Sequence, residues 1–185
     1  MKDLSLHILD IAQNSVVANA KLVQIRFTVS RAQDLLTIEV EDNGKGMDEA
    51  MVARVTSPFT TTRTTRKVGL GIPLFKAGAE RSGGSFSIRS QVGVGTVVQA
   101  TYQLSNIDRP PMGDLAGTVV SLVMCNPLID FVFAYGVDGD AFVFDTREIR
   151  QQLGGDVPLE TPQVVSWMQE YLQEGIDSLN GGVLE

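Results

Sequence analysis

The chain has 185 residues, 43% of them hydrophobic, with a formal net charge of −7, enough for one ordinary domain with a filled core and a small second unit. The acidic balance argues against general nucleic-acid binding. The longest apolar runs, such as Val119-Val120 through Cys125, fall far short of a membrane span. No Cys/His cluster offers a zinc site, and Asp3 and His7 interrupt any secretory pattern at the start. The lone Cys125 excludes an internal disulfide and is expected as a small buried hydrophobe in a reducing cytosol. Residues 1–105 carry 12 Lys/Arg against 9 Asp/Glu, whereas residues 106–185 carry 3 against 13. The basic excess lies with the glycine-rich segments, where an anionic ligand would gain from it; the acidic half reads as a solvated surface.

Residues 3–19 read as a helix capped by Asp3, with Leu6, Leu9, Val16 and Ala20 at helical spacing and Asn19 suited to a left-handed end. Val23, Ile25, Phe27 and Val29 alternate with polar residues, as in a half-buried strand. A polar turn leads into a second strand, 35–41. Residues 48–56 read as a short helix capped by Asp48. Residues 57–68 have no hydrophobic period and no acid, and read as a loop. Gly69-Leu70-Gly71 opens another helix, with Pro73 early in it where proline is tolerated, and Gly83-Gly84 ends it. Strands at 85–90 and 94–104 are joined through Gly93-Val94-Gly95. Residues 105–114, with Pro110-Pro111, read as a linker or extended turn. Further strands are expected at 117–124, 129–136 and 141–145, with a hairpin turn at Val137-Asp138-Gly139-Asp140. Helices follow at 146–153 and 162–179, the latter capped by Thr161.

Four segments carry chemistry. Asp10 and Asn14, four apart on a helix, share a face; an amide oxygen suits magnesium, and a carboxylate one turn away can orient or deprotonate a water. Their spacing alone also fits two ordinary exposed polar residues. Asp42-Asn43-Gly44-Lys45-Gly46-Met47 fixes an acceptor carboxylate at a strand end, followed by backbone able to approach a flat ligand. Gly69-Leu70-Gly71 puts backbone N–H groups at a helix start, a natural phosphate site, though a plain turn has the same look. Thr60 to Thr65 with Arg63, Arg66 and Lys67 suit a mobile cover over phosphates. Two other patterns fail: residues 78–85 have Gly84 where a P-loop needs lysine, and Asp138-Gly139-Asp140 has Ile149 where a calcium loop needs glutamate. His7, one turn before Asp10, is expected to pack or to rim the same pocket.

Taken in order, these segments resemble the GHKL ATPase superfamily, which includes DNA gyrase B, mismatch-repair ATPases, large heat-shock chaperones, sensor histidine kinases and anti-sigma-factor kinases. The resemblance covers residues 3–104. Asp10 to Ala20 is similar to the N box, Asp42 to Met47 to the G1 box, Gly69-Leu70-Gly71 to the G2 box, and Gly93-Val94-Gly95-Thr96 to the last box. It implies that Asn14 binds Mg2+, that Asp42 accepts the adenine amino group, and that Gly44, Gly46 and Met47 line the base. It further implies that Gly69, Leu70 and Gly71 contact phosphates, that Thr96 supports adenine, and that Thr62, Arg63 and Lys67 belong to an ATP lid. Asp10 would be the catalytic base, but it stands where hydrolysing members carry glutamate and is one methylene shorter. Val17 also departs, standing where many members carry a polar residue. With no phosphoacceptor helix ahead of the N box, the chain looks more like the anti-sigma-factor serine kinases than the sensor kinases.

The fold expected is an α/β (α+β) two-layer sandwich of the Bergerat type with a mixed sheet over residues 1–105, and a small acidic α+β unit over 106–185. The function expected is Mg-ATP binding in the cytosol, with phosphoryl transfer to a protein in trans. The competing readings are a nucleotide-gated protein-binding module with little hydrolysis, and a true ATPase. Expected partners are ATP and a protein partner or substrate, without nucleic acid or membrane; a homodimer is left open.

Overall fold

The computed structural model describes residues 3–57 and 70–180. Helix α1 (Leu4–Val17) starts at Asp3, whose carboxylate accepts from Leu6 N–H at 3.0 Å, and ends before Asn19, which takes a positive φ of 58°. Strands β1 (Leu22–Ser30) and β2 (Leu35–Asp42) pair antiparallel. Helix α2 (Glu49–Thr56) is capped by Asp48, and α3 (Gly71–Arg81) is the next described element. β3 (Phe86–Gln91) and β4 (Gly95–Gln103) form a hairpin. Then come α4 (Leu115–Cys125), β5 (Asp130–Val137), β6 (Asp140–Asp145), α5 (Thr146–Gln152) and α6 (Pro162–Asn180).

The strands form one six-stranded mixed sheet in the order β3-β4-β2-β1-β5-β6. Only the β1–β5 pairing is parallel among the described residues. Alternation decides the layering. Ile25, Phe27, Ile38, Val98, Ala100, Phe131, Phe133 and Tyr135 point to one face and are buried, together with Ile8, Ile11, Phe75, Leu122 and Leu172 from the helices. The helices thus cover one face, giving the expected two layers. The other face is polar: there Arg26 bridges Glu39 and Glu41.

Several expectations change. Residues 117–124 are helical rather than extended. Asp114 accepts from Gly117 N–H at 2.7 Å, an N-cap, and Leu115, Ala116, Val119, Val120, Leu122 and Val123 are all buried. A helix packed on both α1 and α6 as well as β5 shows no amphipathic period, and its β-branched residues read as a strand. Cys125, at the exposed end of α4, is not buried. On α1 the buried face is Leu4, His7, Ile8, Ile11, Ala12 and Ser15, while Leu6 is exposed. Thr161 donates its hydroxyl to the Pro158 carbonyl at 2.7 Å. Segment 105–114 is the turn-containing connection expected, and it is tied to α1: Leu4 N–H donates to the Pro111 carbonyl at 2.9 Å and Ser5 N–H to that of Met112 at 3.0 Å.

The division expected at 105/106 separates no independent sheet. Phe131 and Phe133 on β5 lie beside Val23 and Ile25 on β1, and one core runs through both parts. The nucleotide-box segments gather under α1–α3 at the β2/β4 side; α6 covers the β5/β6 side.

Candidate nucleotide site

A cavity of about 300 Å³ opens between α1, α2, α3 and the end of β2 and β4. Its walls are mostly apolar: Ile11, Val40, Met47, Met51, Ile72 and Val98. Its polar atoms come from Asn14, Ser15, Asp42, Lys45 and Thr96. An apolar slot with a few convergent polar groups is what a planar, partly polar ligand needs.

Asp42 ends β2, and both of its oxygens are held. Oδ1 accepts from Gly44 N–H at 2.8 Å, and Oδ2 accepts from the buried Ser15 hydroxyl at 2.7 Å. A carboxylate has about four acceptor sites, so accepting capacity remains for a ligand donor. Asn43 ties the loop to β1: its Oδ1 accepts from Lys21 N–H at 2.8 Å and Leu22 N–H at 2.9 Å. Lys45 N–H donates to the Ala18 carbonyl, and the Lys45 carbonyl accepts from Gly93 N–H at 2.7 Å. The loop is thereby braced by α1, β1 and the β3–β4 turn.

The glycines are required by protein rather than by ligand. A Cβ on Gly46, which has φ +67°, would lie 1.9 Å from the Gln91 carbonyl oxygen. One on Gly44 would lie 2.8 Å from Ala18 Cβ. Close approach to a base therefore does not by itself account for either residue. Thr96 is nearly buried, with its hydroxyl 2.7 Å from that of Ser90. Ser90 Oγ also accepts from Met47 N–H at 2.8 Å, so one hydroxyl links the Asp42–Met47 loop to β4.

At the other end of the cavity the groups are less constrained. Asn14 is exposed, lines the cavity, and among the described residues its side chain makes no hydrogen bond. Asp10 is exposed one turn away and does not line the cavity; it lies beside α3, where a Cβ on Gly71 would be 2.9 Å from Asp10 Cβ. Leu70, exposed, caps α3 without a side-chain bond, and Leu74 N–H makes the first helical bond to its carbonyl at 2.9 Å. The N–H groups of Gly71 and Ile72 have no partner within the helix, and Pro73 brings none. Thr62, Arg63, Lys67 and Gly69 lie outside the described residues.

His7 packs rather than lining the cavity. It is buried with its ring 5.6 Å from that of Phe75, and burial lowers its pKa below the ordinary histidine value. Tyr102, 6.2 Å beyond Phe75, has its pKa raised by burial. Among the described residues His7 Nδ1 and Tyr102 Oη are buried without hydrogen-bond partners.

The structure thus brings together Asn14, Asp42, Gly46, Met47 and Thr96, with Gly44 directly behind Asp42. Asp10, Leu70 and Gly71 lie outside the cavity lining. Sequence reasoning missed Ser15, Asn43 and Ser90 as positioning groups, and Met51, Ile72 and Val98 as walls. Only Ser15 carried a local signal, following Asn14 on the same helix.

Residues 2–106 match the family described as Histidine kinase-, DNA gyrase B-, and HSP90-like ATPase. That is more than half of the chain. The chain belongs to this ATPase family. Among its relatives, Sensor histidine kinase YvrG of Bacillus subtilis is 27% identical over 94 residues, covering 49% of this chain and 16% of that protein. Sporulation kinase D of the same organism is 30% identical over 98 residues, covering 53% of this chain and 19% of that protein. The C4-dicarboxylate transport sensor protein DctS of Rhodobacter capsulatus is 36% identical over 82 residues, covering 44% and 12%. The chain therefore spans less than a fifth of the length of these relatives. The Aquifex aeolicus MutL ATPase domain, solved in complex with ADP, superposes with a TM-score of 0.55 at 13% identity, covering 83% of this chain and 70% of that one. That likeness extends beyond residue 106 and shows a shared fold. Among the described residues no helix is long and apolar enough to cross a membrane.

Proposed function

We propose that the cavity binds ATP with its adenine against Asp42, and that the chain transfers the γ-phosphoryl group to a separate protein. The observation that carries the adenine assignment is the fixed carboxylate of Asp42 in an apolar slot. An ionised carboxylate accepts but cannot donate, so it favours a base edge that presents an amino group. Met47, Met51, Ile72 and Val98 would flank the ring, and Thr96, steadied by Ser90, would contact it directly or through water. Gly69, Leu70 and Gly71 would meet the phosphates at the start of α3, with Thr62, Arg63 and Lys67 covering them.

Magnesium fits the donor chemistry at Asn14. One uncommitted neutral oxygen leaves the remaining coordination to phosphates and water, as this ion prefers. When bound it would neutralise phosphate charge, on which phosphoryl transfer largely depends. Kinase names among the relatives support transfer to a protein over hydrolysis. A cytosolic setting suits this reading, because ATP is abundant there and an exposed thiol such as Cys125 stays reduced; a homodimer is compatible with it.

A second reading, a nucleotide-gated binding module with little turnover, draws on Asp10, a short acid outside the cavity lining. Asp10→Asn distinguishes the roles. ATP affinity is expected to stay within about twofold, while any hydrolysis falls by at least about a hundredfold if Asp10 is the base; unchanged turnover removes that role. Incubating the chain with γ-labelled ATP and a cell extract tests transfer. A labelled protein that depends on Asn14 supports the kinase reading, and ATP binding with no labelled acceptor favours the gated module.

A further inference from the structure

Helix α6 carries a surface unlike the rest of the molecule. Trp167 and Tyr171 are 43% and 39% exposed, with rings stacked 5.0 Å apart at 10°. Phe142 of β6 continues the row, its ring 5.1 Å from Tyr171. Gly175 makes room for it: a Cβ there would sit 2.4 Å from the Phe142 ring. Beside the stack runs a groove of about 410 Å³ lined by Ile149, Leu153, Val164 and Trp167, with Gln152 and Gln163 at its edge.

Two carboxylates lie on the same face of α6. Glu170 and Glu174, both exposed, stand three residues beyond Trp167 and Tyr171 respectively, within one turn of them. No lysine or arginine occurs from residue 151 to the end of the chain, against six acids. The basic residues of neighbouring α5 are already engaged: Arg147 with Asp145 at 2.6 Å and Arg150 with Asp130 at 3.3 Å.

We propose that the Trp167–Tyr171 stack and its groove bind a basic segment of a partner protein, placing an arginine or lysine over the exposed rings between Glu170 and Glu174, and an apolar residue in the groove. Aromatic faces attract cations, and exposed tryptophan and tyrosine are the residues that most often anchor interfaces. Charge selects the occupant. Anionic lipid and nucleic acid are repelled by a surface with acids whose neighbouring cations, Arg147 and Arg150, are ion-paired, whereas a basic peptide is steered toward it. The surface lies over β5 and β6, on the far side of the sheet order from the nucleotide cavity over β2 and β4, so it is separable from nucleotide binding.

The full chain provides its own reporter, because Trp167 is its only tryptophan. A random displayed-peptide library is panned on the full chain, and an enriched peptide is synthesised and titrated. Enriched sequences are expected to carry a net positive charge with at least one apolar residue. The peptide should shift Trp167 emission and bind the exposed charge-reversal variant Glu170→Lys/Glu174→Lys at least about tenfold more weakly, with ATP affinity and melting temperature unchanged. Neutral or acidic enriched peptides, or equal binding to the variant, overturn the proposal. So does a failure to enrich any peptide, an emission shift with phosphatidylglycerol vesicles in place of peptide, or a concentration-dependent shift from self-association.

Discussion

The two ends of the cavity are built differently. At the Asp42 end, where we propose the adenine sits, the groups are tied down: Asp42 by Ser15 and Gly44, Asn43 by the start of β1, Thr96 by Ser90. Toward the start of α3, the proposed phosphate end, Asn14 and, outside the cavity lining, Asp10 are exposed, and among the described residues no side chain caps the helix. On the proposed reading, the groups that would meet the base are fixed in advance, and the charged end would be completed by ligand and metal. Preorganised polar groups lose little freedom on binding; loosely held ones can respond to which nucleotide is present.

The largest break in that contrast comes from Gly46→Ala. Its Cβ meets the Gln91 carbonyl at 1.9 Å on a positive-φ backbone, a combined cost of about 3 kcal/mol or more. The melting temperature should fall by roughly 6–12 °C and ATP binding should be lost. A wild-type melting temperature would show that the loop is not braced as described.

Ser15→Ala is gentler and sharpens the comparison. It removes one of the two bonds that aim Asp42 while leaving the carboxylate in place. ATP affinity is expected to fall about tenfold, the worth of roughly one charge-assisted bond. The magnesium dependence of binding should be unchanged, because Ser15 bonds Asp42 and not Asn14. Calorimetric titration with and without magnesium reads both.

The smallest effect concerns His7, outside the cavity. It packs against Phe75 of α3, and burial keeps its folded pKa below the unfolded value near 6.5. The unfolded chain therefore binds the extra proton more readily. The stability of the neutral ring is fully present above about pH 6.5 and is lost as pH falls below it, by at most about 1.4 kcal/mol per pH unit. Melts between roughly pH 7.5 and 5.5 should fall more steeply for the wild type than for His7→Leu. Parallel curves would remove His7 from that account.

Much of the corner around Asp42 was legible because its parts are local. A strand, an acid and two spaced glycines stand together in Asp42–Met47, and the order of four such segments identified the superfamily. The bracing was not legible. Ser15 and Asp42 are 27 residues apart and meet only when α1 lies across β2, and Ser90 reaches Met47 across 43. The glycines were found for a reason that proved incomplete, since the groups they admit are Gln91 and Ala18. Helix α4 was mistaken for a strand because burial on several sides erases the period that marks a helix, although Asp114 was present as its cap. The continuation of the sheet through β5 was hidden for a related reason: a parallel pairing between residues about a hundred positions apart leaves no local trace.

The central claim is that the corner around Asp42 reads adenine, and the most direct test compares ATP with inosine triphosphate, which has a carbonyl in place of the amino group. Calorimetric titration of the wild type should show ATP bound at least about a hundredfold more tightly, because the carbonyl would face the Asp42 carboxylate with no proton between them. Asp42→Asn, which supplies an amide in place of the carboxylate, should lose most of that preference. Equal affinity of the wild type for the two nucleotides would contradict the account.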